Sequence, residues 1–209
     1  MYHQGSDKIM KNFERYKSMA PKDYDRKGLM YYLCRATSDK VIFQKLVHIK
    51  KKRILDVGIG TGYYATRLLG NNDLSAIDKN PHLNKSSIKV IEADASFFSH
   101  FFAGERFDVV FSTWTTEYLS EKQLIKFFNQ SKEVLKSGGD LITTFVLPKG
   151  VGWLYVKMAR YLKGIKKYYY SADRVKKLLN DAGFSDIQIS ELDALAGLSW
   201  AVLVEAKKN

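Results

Sequence analysis

The sequence lacks a second cysteine for an internal disulfide and lacks an apolar run long enough for a membrane-spanning helix. Its 209 residues include one cysteine, Cys34, and a lone cysteine cannot form a disulfide within the chain. No apolar run reaches the roughly 18 residues that a membrane-spanning helix needs, and no secretory signal is recognisable at the amino terminus. These absences predict a soluble, cytoplasmic protein held together by packing and hydrogen bonds.

Groups that commonly bind metals or abstract protons are also scarce. The four histidines are His3, His48, His82 and His100. None stands at the spacing of a ligand pair or a catalytic dyad, and a single cysteine offers no paired Cys/His set for zinc. We therefore expect no metal site and assign no general base to a histidine.

What is present indicates one well-packed domain. With 45% hydrophobic and 13% aromatic residues, a chain of this length can bury a sizeable core but is short for two domains. We divide the single domain 1–209 into four parts: a helical cap over 1–50, a core over 51–147, a basic aromatic insertion over 148–172, and a terminal helix and β-hairpin over 173–209.

Positive charge is concentrated in two segments. The net charge is +12, and residues 1–53 carry 14 basic and 5 acidic residues, while 148–180 carry 9 and 1. The part between them is nearly neutral. Such segregation favours a positive face that attracts nucleic acid, lipid headgroups or an acidic metabolite; a generally basic composition without a specific partner is the alternative.

The most informative stretch is an apolar run followed by alternate glycines. Residues 54–65 read as strand, tight loop and helix, and the glycines allow sharp turns and close approach of a ligand to the backbone. Their G-x-G-x-G spacing differs from the G-x-G-x-x-G of dinucleotide sites, and Tyr63 stands where the last dinucleotide glycine would fall. A glycine-rich turn that serves packing alone is the alternative.

Three acidic residues follow three successive predicted strands. Asp56 precedes the glycines, where its charge would repel phosphates and suit a cationic group. Asp78 ends the second strand, 22 positions later, where a carboxylate can accept the hydroxyls of a ribose. Asp94 follows the third strand and could alternatively cap a helix that begins near Ser96.

The Asp-x-Gly-x-Gly-x-Gly pattern resembles motif I of class I S-adenosylmethionine-dependent methyltransferases, in particular their type 11 and type 25 small-molecule branch. The resemblance implies a three-layer, Rossmann-like α/β fold around a seven-stranded mixed sheet of order 3-2-1-4-5-7-6. It also implies S-adenosylmethionine as cofactor and S-adenosylhomocysteine as product. The cofactor contacts that it implies are Asp56, Gly58, Ile59, Gly60, Gly62, Asp78, Lys79, Asp94, Ala95, Ser112 and Thr113.

Within that set, the resemblance gives individual roles. Asp94 would take the adenine amino group, the amide of Ala95 would meet the ring, and Ser112 and Thr113 would border the methionine end.

The hydrophobic pattern predicts the elements that such a fold needs. Strands are expected at 54–58, 74–78, 88–92, 107–112 and 140–147, followed by two antiparallel runs at 184–192 and 198–206. Helices are expected at 6–19, 39–48, 62–69, 96–102, 121–135 and 173–182.

The segment after the fourth strand bears on the substrate. It contains no proline, unlike the Asn/Asp/Ser-Pro-Pro-aromatic motif of enzymes that methylate base amines. It looks similar to the Leu-Glu-His run of ubiquinone-pathway O-methyltransferases, but Trp114 replaces an acid there and Tyr118 replaces the histidine. Glu117 and Tyr118 are the candidates for assisting deprotonation.

The insertion is basic, aromatic and amphipathic. On one continuous helix, Lys157, Arg160, Lys163 and Lys167 would form a stripe. The segment 153–170 could contact an anionic membrane, border the pocket of an acidic acceptor or bind nucleic acid, or it could be a cap packed on the first helix. The candidates for the substrate pocket are Tyr16, Tyr24, Trp114, Trp153 and Tyr155.

The function expected from the resemblance is methyl transfer to an oxygen of a small aromatic, amphipathic or anionic acceptor. Alignment of donor and acceptor can supply up to about 7–11 kcal/mol of the acceleration, so a strong base is dispensable. An RNA or protein methyltransferase is one alternative, and a non-catalytic S-adenosylmethionine-binding regulator is another. Nothing in the sequence indicates an oligomeric state.

Overall fold

The computed structural model describes residues 35–84, 86–163, 166–194 and 197–209. The predicted helix over 6–19 lies outside the described residues, as do the pocket candidates Tyr16 and Tyr24.

Seven strands form one sheet in the order β3-β2-β1-β4-β5-β7-β6. The strands are β1 (Arg53–Val57), β2 (Asp73–Asp78), β3 (Val90–Glu92), β4 (Phe107–Ser112), β5 (Leu135–Val146), β6 (Phe184–Asp193) and β7 (Ser199–Lys208). β1 to β5 pair in parallel, and β7 runs antiparallel to both β5 and β6. The predicted fold class and strand order are confirmed.

Helices connect and cover the strands. They are α1 (Ala36–Leu46), α2 (Ala65–Leu68), α3 (Glu121–Val134), α4 (Gly150–Lys163) and α5 (Ala172–Asp181). None of the helices in the described part of the chain is both long and apolar enough to cross a membrane.

The sheet is buried on both faces because its strands alternate between two hydrophobic clusters. Leu55, Val57 and Val110 lie in one cluster, whereas Ile54 and Phe111 lie in the other. The inner strands are therefore apolar at successive positions, and the positions available to polar groups are the strand ends.

The helix expected at 39–48 lies two to three residues earlier, at Ala36–Leu46, and two other helix predictions are wrong in extent. The helix expected at 62–69 starts only at Ala65 and ends at Leu68, because the preceding glycines occupy left-handed backbone positions. The helix expected at 96–102 is a short 3-10 helix, Ser99–Phe102. The amides of Phe98 and Ser99 donate to the side chain of Gln130 on α3, which anchors the start of this short helix.

The basic stripe expected on the insertion is also interrupted. α4 ends at Lys163, and Lys167 lies beyond it, where the amide of Tyr168 donates to the Glu117 carbonyl at 2.7 Å and that of Tyr170 to the Val146 carbonyl at 2.9 Å. This segment turns the Lys167 side chain inward, where it is 6% exposed, so Lys167 does not continue the exposed basic stripe of α4.

Candidate functional site

The glycine loop lies at the carboxyl edge of the sheet, directly after β1. Gly58, Gly60 and Gly62 have φ values of 82°, 55° and 78°, which residues with a Cβ rarely adopt. A Cβ on Gly58 would lie 2.1 Å from Oγ1 of Thr115, whereas a Cβ on Gly60 would meet no atom within 4 Å. The backbone is thus covered at Gly58 and open to a ligand at Gly60.

Asp78 fixes the open part of this loop. It is 2% exposed, and its Oδ2 accepts a hydrogen bond from the Gly60 amide at 2.8 Å, while Oδ1 accepts one from the Asn80 amide at 2.7 Å. A carboxylate has lone pairs for further donors. The Asp78 carboxylate can therefore hold the loop and accept ligand hydroxyls together.

Asp56 is a buried carboxylate in β1, two residues before the first glycine of the loop. It is 3% exposed, and none of the described residues gives it a hydrogen bond or an ion pair. Burial, and then the nearby charge of Asp78, raise the pKa of Asp56 well above its ordinary value. An unpaired buried carboxylate is costly, and a positively charged ligand group beside it would remove that cost.

This arrangement predicts that Asp56→Asn stabilises the ligand-free protein at neutral pH. The folded-state pKa lies above the unfolded one, so the contribution from protonated Asp56 is complete below the unfolded pKa and is lost as pH rises through the folded pKa. Since one pKa unit corresponds to about 1.4 kcal/mol, we expect the melting temperature at pH 7 to rise by a few degrees.

Thermal unfolding of Asp56→Asn at a series of pH values would measure this gain. The exposed Glu133 supplies the control, Glu133→Gln, which should leave the melting temperature unchanged. A melting temperature for Asp56→Asn at or below that of the wild type at pH 7 would contradict the prediction.

Asp94 organises a turn after β3. Its Oδ1 accepts hydrogen bonds from the Ser96 amide at 2.8 Å and the Ser96 hydroxyl at 2.7 Å, and its Oδ2 pairs with Lys79. Burial opposes the charge of Asp94, but the hydrogen bonds from Lys79 and Ser96 outweigh it and lower the pKa. No α-helix follows, so the helix-capping alternative is wrong. Ala95 lies inside this turn.

The end of β4 is tied to the end of β1. The Ser112 hydroxyl donates to the Val57 carbonyl at 2.8 Å and is fully buried. Trp114 then adopts a positive φ of 57°, and its amide donates to Oγ1 of Thr144 at 2.8 Å. This sharp turn directs the following Thr115 against the glycine loop, where its hydroxyl donates to the Gly58 carbonyl at 3.3 Å.

Two residues beyond Thr115, the chain enters a buried group of charges, here called the Glu117 cluster: Arg35, Glu117, Tyr155 and Lys167. Glu117 is 2% exposed. Its Oε1 accepts hydrogen bonds from Arg35 at 3.2 Å and from the Tyr155 hydroxyl at 2.9 Å, and it also pairs with Lys167. Two cations thus share one carboxylate.

The cluster keeps a surplus positive charge. Burial opposes the charge of Lys167, but Glu117 outweighs it and the pKa rises; the pKa of Arg35 rises as well, because Tyr155 and Glu117 outweigh burial. Burial raises the pKa of Tyr155 to about 12, so the phenol is neutral and donates. Nε of Arg35 is buried and has no acceptor among the described residues. These features suit a bound anion.

Aromatic rings form the wall beside this cluster. The guanidinium carbon of Arg35 lies 4.6 Å from the centroid of the Trp114 ring, and Trp114 stacks on Trp200 at 4.9 Å with an interplanar angle of 13°. Tyr155 meets the same Trp200 edge-on at 5.5 Å. Lys167 lies 4.6 Å from the ring centroid of Tyr118.

Several residues expected at the substrate site therefore lie together, and one lies away from them. Trp114, Glu117, Tyr118 and Tyr155 converge, whereas Trp153 is 46% exposed on the outer side of α4. Contact of 153–170 with an anionic membrane stays a prediction. Sequence reasoning missed Arg35, for which no local signal exists, and misplaced Lys167 on a helical stripe.

Comparison with known proteins agrees with this architecture. Residues 55–143 match the family described as "Methyltransferase domain". The tRNA U34 carboxymethyltransferase of Hydrogenovibrio crunogenus is 26% identical over 169 residues, which are 71% of this chain and 49% of that protein. This chain thus spans about half the length of that curated relative. An uncharacterised protein of Methanocaldococcus jannaschii is 26% identical over 188 residues, which are 87% of this chain and 85% of that protein.

Among solved structures, magnesium protoporphyrin IX methyltransferase from Synechocystis with bound S-adenosylhomocysteine superposes with a TM-score of 0.69 at 14% identity. The match covers 97% of this chain and all of that one (100%). Residues 55–143 thus carry a methyltransferase domain, and the chain has the fold of class I S-adenosylmethionine-dependent methyltransferases, whose cofactor is S-adenosylmethionine. These findings support the family resemblance and the cofactor predicted from motif I.

Proposed function

We propose that this protein transfers the methyl group of S-adenosylmethionine to a small acceptor whose anionic group binds at the Glu117 cluster. The observation that carries the proposal is the surplus buried cation, with Nε of Arg35 unpaired, two residues beyond the Thr115 that touches the glycine loop. The surplus charge favours a carboxylate or a similar anion on the acceptor and disfavours a cationic one.

The same proposal assigns the cofactor contacts. Asp56 would face the cationic part of the cofactor, the open backbone at Gly60 would lie under it, and Asp78 would accept the ribose hydroxyls. Asp94 with Ala95 would border the adenine, and Ser112 with Thr113 the methionine end. When bound, the sulfonium supplies an activated methyl group; this chain's residues align the acceptor with it.

Within the Glu117 cluster, positioning is a better role than proton abstraction. Oε1 of Glu117 receives all three donors from the cluster, and the raised pKa keeps Tyr155 protonated. Glu117 therefore orients Arg35 and Lys167 toward an anion, and the acceptor would react through a group that is already nucleophilic or easily deprotonated.

Removal of the Asp78 carboxylate is expected to weaken cofactor binding. Asp78→Ala loses both the ribose acceptor and the hydrogen bond that fixes the Gly60 amide, so calorimetry with S-adenosylhomocysteine should show at least about a tenfold loss of affinity. Asp73→Ala, at the exposed start of the same strand, is the control. Equal affinity of Asp78→Ala and wild type would refute the ribose assignment, and NAD should bind neither.

An RNA acceptor is the second candidate, and the curated relative favours it. That relative is named a tRNA U34 carboxymethyltransferase, and a carboxymethyl group carries its own carboxylate, which would also suit the surplus charge of the Glu117 cluster. Incubation with labelled S-adenosylmethionine and a panel of quinone, lipid, phenol, carboxylate and RNA acceptors separates the candidates. RNA binding that weakens steeply with salt would support the second, and no turnover with any acceptor would favour a regulator.

A further inference from the structure

A separate cavity lies between α4 and the extended segment that follows it. Its volume is about 310 Å³, at the lower end of the range of roughly 300–1,000 Å³ for ligand pockets. Four cationic side chains and two tyrosines line it: Lys157, Arg160, Lys166, Lys167, Tyr168 and Tyr169. No acidic side chain is among the lining residues that the structure describes.

Three of these cations lack a counter-charge. Lys167 pairs with Glu117, but Lys157, Arg160 and Lys166 form no ion pair with any carboxylate in the described parts of the chain. Lys157 lies 5.5 Å from the ring centroid of Trp153, and Lys166 lies 5.0 Å from that of Tyr168. Cation–π contacts of this kind direct the ammonium groups without neutralising them.

Converging uncompensated cations repel one another, and a bound polyanion relieves that repulsion. Of the common biological anions, a phosphate group matches this lining best, since it offers several acceptor oxygens and up to two charges. An arginine can bind it through two parallel hydrogen bonds and lysines can approach it as point charges. The adjacent Tyr169 is 38% exposed, so its ring can contact the part of the ligand that bears the phosphate.

We propose that this cavity binds a phosphate group and places the phosphorylated end of the acceptor beside the Glu117 cluster. Lys167 connects the two sites, because it lines the cavity while its ammonium group contacts Glu117 and Tyr155. The phosphate site stands on the cavity alone; only the identity of its ligand as the acceptor rests on the proposed function.

The test compares two probes, ribose 5-phosphate and a short single-stranded RNA, by calorimetry. The double variant Lys157→Ala/Arg160→Ala removes two cavity charges, and Lys122→Ala/Lys126→Ala removes two exposed charges from α3 as a matched control. We expect the cavity variant to lose at least about tenfold in affinity for the probe that binds, and the control to retain it. S-adenosylhomocysteine should bind both variants like the wild type.

The outcomes separate the sources of the phosphate and the two proposals. Binding of ribose 5-phosphate that the cavity variant loses identifies a small phosphorylated ligand, and binding of RNA alone with the same loss identifies a nucleic-acid phosphate. If neither probe binds the wild type, or if the cavity and control variants bind equally, the phosphate site is refuted. Failure of S-adenosylhomocysteine to bind the wild type would count against the proposed function only.

Discussion

Glu117→Gln is expected to destabilise the protein by about 3–5 kcal/mol, the usual cost of leaving a buried charge without its partner. Among the described residues, Glu117 is the one carboxylate that pairs with the two cations of the cluster. Lys167→Met should cost clearly less, since Arg35 remains 3.2 Å from Glu117 and the remaining charges balance. Urea unfolding of both variants measures the two free energies.

The double variant Glu117→Gln/Lys167→Met provides the internal control for this prediction. The double variant retains one buried cation, Arg35, whereas Glu117→Gln retains two. Its loss of stability should therefore be smaller than the sum of the losses in the two single variants. The difference is the coupling energy between the two side chains. Equal destabilisation by the two single variants, without coupling in the double variant, would contradict a cluster with surplus positive charge.

Gly60→Ala is expected to abolish measurable S-adenosylhomocysteine binding while the fold survives. The φ of 55° makes alanine cost about 1–2 kcal/mol, but the new methyl group projects into open space above the loop, where the proposed ligand would approach the backbone. We expect a loss of affinity of about a hundredfold or more by calorimetry, with the melting temperature lowered by only a few degrees.

Substitutions of two other glycines serve as comparisons for this prediction. Gly58→Ala should damage stability rather than binding alone, because its Cβ would lie 2.1 Å from Thr115, an overlap that must displace the chain. Gly138→Ala has a comparable φ of 72°, open space around it and a place at the start of β5, away from the loop. It should bind S-adenosylhomocysteine normally. Normal binding by Gly60→Ala would show that no ligand lies over the loop.

Much of the sheet could be predicted from the sequence because strands and glycine turns are local signals. β1, β2 and β4 lie within one residue of their predicted bounds. The helix expected at 173–182 is α5, and Gly183 follows it with a φ of 81°, the left-handed conformation in which glycine commonly ends a helix. The same locality explains why Asp56, Asp78 and Asp94 could be placed at one edge: parallel strands bring their carboxyl ends together.

Where tertiary contacts compete with local patterns, the predictions fail. A short 3-10 helix stands where an α-helix is expected after β3, and its first amides are held by Gln130, more than thirty positions away. Lys167 leaves the helical stripe because its neighbour Tyr168 pairs with the backbone of Glu117. Neither partner is detectable from the sequence around the residues that it redirects.

The sequence by itself determined the cofactor class and the framework that binds it, since motif I and the acids at the strand ends depend on short spacings and regular periodicity. The tertiary structure alone assembled the Glu117 cluster, because Arg35 and Lys167 lie 82 and 50 positions from Glu117 and no local pattern predicts such pairings. The proposed acceptor site depends on the folded structure, because a surplus buried cation exists only after these three distant charges come together.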